Sequence, residues 1–233
     1  MSTTGFELYD FFHIGWLAFA ALTIWFVTRQ YSVAMIESRK QIRIVFAWLL
    51  IIAEIIRDSY IYFLEVWSIS KLPLDLCGMA LVVIFIYAYT QNNTIGELLY
   101  SIFLPGAIAA LLFPNWTHRE MFSFMSNYSF IYHLLIIAFI SMLIASKELQ
   151  PQPKNLWKPA LFLTILTPVM YMFNKQFDTN FWFLSAPSSG SPIVLLEQIF
   201  GNPGYIFGLV LVLIVVWIVL YTPFIWRKKR GSD

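Results

Sequence analysis

The sequence predicts an all-α protein: one bundle of seven transmembrane helices, N-terminus outside and C-terminus cytoplasmic. Three observations predict it. The chain has 233 residues, 59% hydrophobic and 12% charged, against about 25% charged in an ordinary soluble domain. Apolar runs near the length that crosses a hydrocarbon core, about 20 residues, recur seven times. Lys and Arg fall almost entirely in alternate connections.

In chain order the spans are expected at about 9–28, 44–67, 74–91, 97–114, 123–145, 158–174 and 205–226. Helix is the default in each, because backbone polar groups facing lipid must be satisfied within the segment. Residues 1–12 carry Glu7 and Asp10 and no Lys or Arg, so a basic n-region is absent and the N-terminus does not read as a signal peptide. The second span carries charge near its middle, and the third is short. The fourth contains Pro105-Gly106, read as a kink or a close helix approach. The fifth carries Asn127 and His133, and the sixth holds Pro168, a kink signal. The long connection before the last span is turn-rich over Ser185–Pro192. Val194–Phe200 within it reads as a short interfacial helix capping the bundle. Residues 1–233 form a single membrane domain with no soluble domain attached.

Basic residues orient the bundle. Arg29, Arg39, Lys40 and Arg43 lie in the first connection, and Lys147, Lys154 and Lys158 in the one after the fifth span. Arg227, Lys228, Lys229 and Arg230 form the tail. These eleven belong on the cytoplasmic side, against Lys71, Arg119 and Lys175 on the other. Arg57 is intramembrane.

Several functions are excluded. A formal net charge of +2 suggests no nucleic-acid partner. The one cysteine, Cys77, has no internal disulfide partner. No nucleotide-binding glycine loop, zinc motif or cysteine-pair metal motif is present, so neither cofactor nor metal is expected. Membrane lipids are the expected partners.

The candidate site starts from charge. Glu54, Arg57 and Asp58 sit near the middle of the second span, where each ionisable group costs roughly 2.5–3.5 kcal/mol to insert. Glu54, Asp58 and Glu65, with Tyr62, recur at near-helical spacing, and Arg57 reaches Glu54 three residues back. Two readings stand. The set is a self-neutralising ion pair, or Arg57 grips a phosphate or carboxylate headgroup, which its fork geometry suits. With the orientation above, Asp75 and Cys77 of the third span, Asn127 and His133 of the fifth and Asn180 of the long loop fall toward the same outer side. One outward-opening polar cavity is therefore expected. Taken alone, Cys77 is a small hydrophobe and His133 bonds a neighbouring carbonyl. Taken together, an imidazole can remove a thiol proton and make a nucleophile.

Three blocks carry a family resemblance. Leu72-Pro-Leu-Asp75-Leu-Cys77 is similar to L-P-L-H-L-C. Glu97 to Pro114, followed by Phe122-Ser-Phe and His133, is similar to an outer loop and an H-G-L-I region. Asp178-Thr-Asn180-Phe-Trp-Phe-Leu184 is similar to G-T-N-Y-M-F-L. In this order the chain resembles the bacterial YwaF-type integral membrane family, related to eukaryotic TMEM-type ether-phospholipid acyltransferases. The resemblance implies seven helices, a multi-pass protein of the bacterial plasma membrane, and a Cys–His acyl-transfer pair, here Cys77 and His133. Asp75 stands where that family has His, and an ionised Asp is a weaker base than imidazole.

Two functions are thus expected. The first is a membrane acyltransferase or transacylase working on phospholipid acyl chains, with Cys77 as nucleophile and His133 as base. Asn127 or Asn180 would donate to the oxyanion, Asp75 would orient His133, and Arg57, held by Glu54 and Asp58, would bind the headgroup. The alternative is a transporter or binding protein for a small anion or lipid headgroup, built on Glu54, Arg57 and Asp58.

Overall fold

The structure, a computed structural model, describes residues 5–188 and 190–230, without side chains for 227–230. The basic side chains from Arg227 to Arg230 therefore lie outside the described residues. Eight helices and no strand occur among the described residues. They are α1 (Phe11–Val33), α2 (Ile36–Leu64), α3 (Leu76–Thr90) and α4 (Asn93–Leu112), then α5 (Phe124–Ala145), α6 (Trp157–Phe177), α7 (Ile193–Phe200) and α8 (Tyr205–Arg230).

Five of them, α1, α4, α5, α6 and α8, are long and apolar enough to cross a membrane. Helix α2 is long enough, at 29 residues, but carries several charges. Helix α3 has 15 residues, short for a span. The expected seven segments are all helical. The expected interfacial helix is α7, beginning one residue earlier, at Ile193.

Local chemistry places the ends. Asp10 caps α1, its Oδ1 accepting from His13 N at 2.8 Å. Asn92 caps α4, accepting from Thr94 N at 2.8 Å and Ile95 N at 3.3 Å. Ser123 caps α5, its Oγ accepting from Ser126 N. Helix α2 starts at Ile36, eight residues before the expected 44, because the polar turn from Glu37 to Arg43 continues the helix beyond the apolar run. It stops at Leu64, and Glu65 is extended. Glu65 therefore does not share a helical face with Glu54 and Asp58.

Helices α4 and α5 form the centre. Some 61% and 56% of their spanning windows are buried, against 6% for α6. Ile136, Phe139, Ile140, Met142 and Leu143 of α5 have no exposed surface. Helix α1 packs along α5, α2 against α3 and α5, and α7 against α8. The outer faces of α1, α6 and α8 expose Trp25, Val169 and Ile218 among many apolar side chains. Such a belt suits lipid rather than water.

The Pro105-Gly106 signal resolves differently from expectation. No atom comes within 4 Å of a Cβ built on Gly106, so no close helix approach occurs there. Instead α4 widens into a π turn over Leu99–Phe103. Pro105 has no N–H to give the Ser101 carbonyl four residues back. Trp217 Nε1 of α8 donates to that carbonyl at 2.9 Å.

Candidate functional site

One end of the bundle gathers the N-termini of α1, α3 and α5 with the C-termini of α2 and α4. On α2, Arg57 donates through Nη1 to Glu54 Oε1 at 2.6 Å and to Asp58 Oδ1 at 3.0 Å. Its Nη2 donates to the Lys71 carbonyl at 2.9 Å. The Glu54–Arg57 pair expected from spacing is therefore present. Glu54 is buried, and its second oxygen accepts from Tyr128 OH of α5. Asp58 is half-exposed. Tyr62 is 71% exposed.

A second ion cluster lies just beyond the helix end. Glu65 accepts from Lys71 Nζ at 3.0 Å and from Arg119 Nη1 at 3.0 Å. The Lys71 hydrogen bond, followed by that of Arg119, holds the Glu65 carboxyl below the usual glutamate range. This cluster ties the segment after α2 to the loop before α5.

Cys77 lies in the first turn of α3, half-buried against the core. Its backbone carbonyl accepts from Tyr132 OH of α5 at 3.2 Å. Gly78 beside it lets α3 meet the preceding loop. A Cβ there would lie 2.6 Å from the Pro73 carbonyl oxygen and 2.8 Å from its carbon. Asp75 occupies the N-cap position without a side-chain cap bond.

His133 is one residue past Tyr132. Its Nδ1 is 2.6 Å from the Ser129 carbonyl oxygen, which only accepts, so Nδ1 carries the proton and Nε2 keeps its lone pair. The ring stacks on Trp116, centroids 5.3 Å apart with 11° between planes. Among the described residues no hydrogen bond joins His133 to Cys77 or to Asp75.

The two asparagines have local partners. Asn127 Nδ2 donates to the Phe122 carbonyl at 3.2 Å. Asn180 organises the long loop: Oδ1 accepts from Ser185 N and Ala186 N, and Nδ2 donates to the Ala186 carbonyl at 2.8 Å. Each side chain retains one further N–H.

At this end a cavity of ≈ 320 Å³ opens between the end of α2 and the following loop. Asp58, Tyr62, Trp67, Lys71 and Pro73 line it, and Cys77 and His133 do not. The expected single cavity thus contains part of the charged set and not the Cys–His pair.

Sequence reasoning passed over the tyrosines that join these elements. Phe124, Tyr128 and Tyr132 repeat every four residues, so they share one face of α5. Tyr128 and Tyr132 stack with centroids 5.4 Å apart. That aromatic stripe is the signal by which their convergence on Glu54 and Cys77 was readable. His13, at the same end of the bundle, is a packing residue: Nε2 donates to the Leu111 carbonyl at 2.8 Å and Nδ1 accepts from Tyr9 N at 2.9 Å.

No group of three or more metal-ligating side chains occurs among the described residues. Residues 7–221 match a family model described as the TMEM164 family. No curated protein and no solved structure matches the chain.

Proposed function

The chain belongs to the TMEM164 family, and from that premise we propose that it is an integral membrane acyltransferase or transacylase acting on phospholipid acyl chains. The observation that carries the reading is the tautomer of His133: Nδ1–H is held by the Ser129 carbonyl at 2.6 Å, leaving Nε2 free as a base. That ring follows directly on Tyr132, which bonds the backbone of Cys77.

In the proposed reaction, His133 Nε2 takes the Cys77 thiol proton as Sγ bonds to the acyl carbonyl carbon. The carbonyl becomes an oxyanion, and the free N–H of Asn127 or Asn180 donates to it, a role worth roughly 3–4 kcal/mol. The ester C–O bond then breaks and the lysolipid oxygen leaves with the imidazolium proton. An acceptor hydroxyl gives its proton to His133, attacks the thioester and restores the thiol. Arg57 holds the headgroup by exchanging Asp58, its exposed partner, for the phosphate. Glu54 keeps Arg57 in place, and Asp75 favours approach of the α3 N-terminus to the imidazolium.

The reading includes seven spans, N-terminus outside, in a bacterial cell membrane. The basic connections support that orientation. Glu148, after α5, bonds Arg43 of α2, so the expected cytoplasmic connections meet at one end.

A clickable acyl donor, followed by hydroxylamine, tests the nucleophile. Wild type is expected to carry hydroxylamine-sensitive label, and a Cys77→Ser variant that elutes as a folded species is expected to lose it. Equal hydroxylamine-sensitive label in both sinks the assignment. A second reading, binding or transport of a small anion or lipid headgroup, is favoured by the cavity beside Asp58 and Lys71. Uptake into liposomes that requires Arg57 and not Cys77 would support it.

A further inference from the structure

The opposite end of the bundle holds a second charged cavity, separate from every residue of the proposed reaction. Its wall is the N-terminal part of α2, from Ile36 to Ile44. Arg43, only 5% exposed, donates through Nη1 to Tyr31 OH at 3.0 Å and to Glu148 Oε2 at 2.5 Å. Tyr31 OH donates to the same carboxylate oxygen at 2.8 Å. Arg39 lies 3.6 Å from the other oxygen, and Gln91 Nε2 reaches Oε2 at 3.4 Å. A cavity of ≈ 660 Å³ opens here, lined by Arg39, Lys40, Gln41, Arg43, Gln91 and Glu148. That lies within the range of small-molecule sites, roughly 300–1,000 Å³.

Three features point to an anion. First, three cations line the cavity, Arg39, Lys40 and Arg43, against two carboxylates, Glu37 and Glu148. Second, Ile36 and Glu37 of the first turn of α2 line the same cavity, and there the helix dipole contributes positive charge. Met35 at the N-cap supplies no side-chain acceptor for the first backbone N–H groups. Third, the buried Nε of Arg43 has no hydrogen-bond partner. A positive helix end and a cation excess on one cavity, with a buried guanidinium in its lining that has donors to spare, are the elements of a phosphate site.

We propose that this cavity binds a phosphate group, presented by a membrane lipid or by a soluble phosphate ester. Arg43 and Arg39 supply guanidinium donors, Lys40 supplies charge from the rim, and the α2 N-terminus supplies backbone N–H groups. Glu148 is then a stand-in: its carboxylate holds the guanidinium groups together and competes with the ligand for them. The site is independent of the Cys77 reading.

The test uses the full chain in dodecyl maltoside, which carries no phosphate. Native mass spectrometry counts bound phosphatidic acid against diacylglycerol with the same tails, and calorimetry titrates inorganic phosphate. Phosphatidic acid retained over diacylglycerol identifies a lipid source, and inorganic phosphate that binds while phosphatidic acid is retained no better than diacylglycerol identifies a soluble one. In either case Arg43→Gln is expected to weaken binding by about tenfold, the loss of one charge-assisted hydrogen bond. Lys40 is exposed and makes no side-chain hydrogen bond among the described residues, so Lys40→Gln keeps the fold and is expected to weaken binding by about threefold. Glu148→Gln is expected to tighten binding in a folded sample, whereas a purely structural cluster predicts no gain. Failure of both probes to bind overturns the proposal. So does affinity unchanged in Lys40→Gln together with no gain in Glu148→Gln.

Discussion

Replacing Glu97 tests how the last helix is held. Glu97, at the start of α4, is 2% exposed. It accepts from Gln152 N at 2.9 Å, Asn155 Nδ2 at 2.8 Å and Tyr221 OH at 2.8 Å. Tyr221 is itself buried and also bonds Ser101 Oγ at 2.7 Å. Glu97→Ala removes all three acceptor contacts and leaves a void. Gln152 is exposed and Asn155 half-buried, so water replaces part of what they lose. Tyr221 and Ser101 are buried from water and share one hydrogen bond, so one of their two hydroxyl protons is left without an acceptor. One stranded buried donor costs about 1–3 kcal/mol, and the void adds to it, for a total of about 3 kcal/mol. At roughly 2–4 °C per kcal/mol for a chain of this size, the apparent Tm falls by about 6–12 °C. Glu97→Gln keeps one oxygen for Gln152 and Asn155, and its amide can donate to Tyr221, whose hydroxyl turns toward Ser101. That change is expected to cost about 1 kcal/mol. Glu120→Gln, an exposed residue on the opposite side, is the control. The assay is a thermal scan in detergent followed by size exclusion. An alanine variant within about 2 °C of wild type refutes the hydrogen-bond account. A glutamine variant as damaged as alanine refutes it in favour of charge.

Tyr128→Phe strips Glu54 of its partner on α5 while leaving Arg57 in place, and is expected to lower stability by about 1–2 kcal/mol, read by the same scan. Gly78→Ala drives a Cβ into the Pro73 backbone and is expected to lower the yield of folded protein sharply. Gly106→Ala, with open space around it, is expected to be neutral or stabilising by up to about 1 kcal/mol. The pair fails as a prediction if both behave alike. Glu65 makes stability depend on pH in a known direction. Its folded pKa lies below the ordinary value of 4.5, so its contribution is complete at neutral pH and is lost as pH falls below about 4.5. Glu65→Gln is expected to flatten the Tm profile in that acid window, and an unaltered profile counts against the cluster.

Much of the helical layout was legible because apolar runs of near-spanning length leave the backbone few alternatives in lipid. The errors have physical causes. Hydropathy does not register a polar helical turn, so the first eight residues of α2 were read as connection. Spacing alone placed Glu65 on the face of Glu54, but the helix ends at Leu64 and frees it to pair with Lys71 and Arg119. The Glu54–Arg57 pair was legible because it is local. Glu148 was not: in the sequence it is a charged residue in a connection, and its partners Arg43 and Tyr31 stand 105 and 117 positions away. Cys77 and His133 were legible as residue types on neighbouring helices. Their relation through Tyr132 depends on how α3 and α5 pack.

Glu97 and Glu148 differ in when, along the chain, their partners become available. Glu148 finds its partners on α1, α2 and α3, all of which emerge before it. A nascent chain can close that cluster as soon as α5 is in the membrane. Glu97 must wait. Two of its donors lie just before α6, and the third, Tyr221, arrives near the end of α8. Until then one oxygen of a carboxylate in the central helix lacks its donor. A chain that ends before α8 leaves that oxygen without the Tyr221 donor.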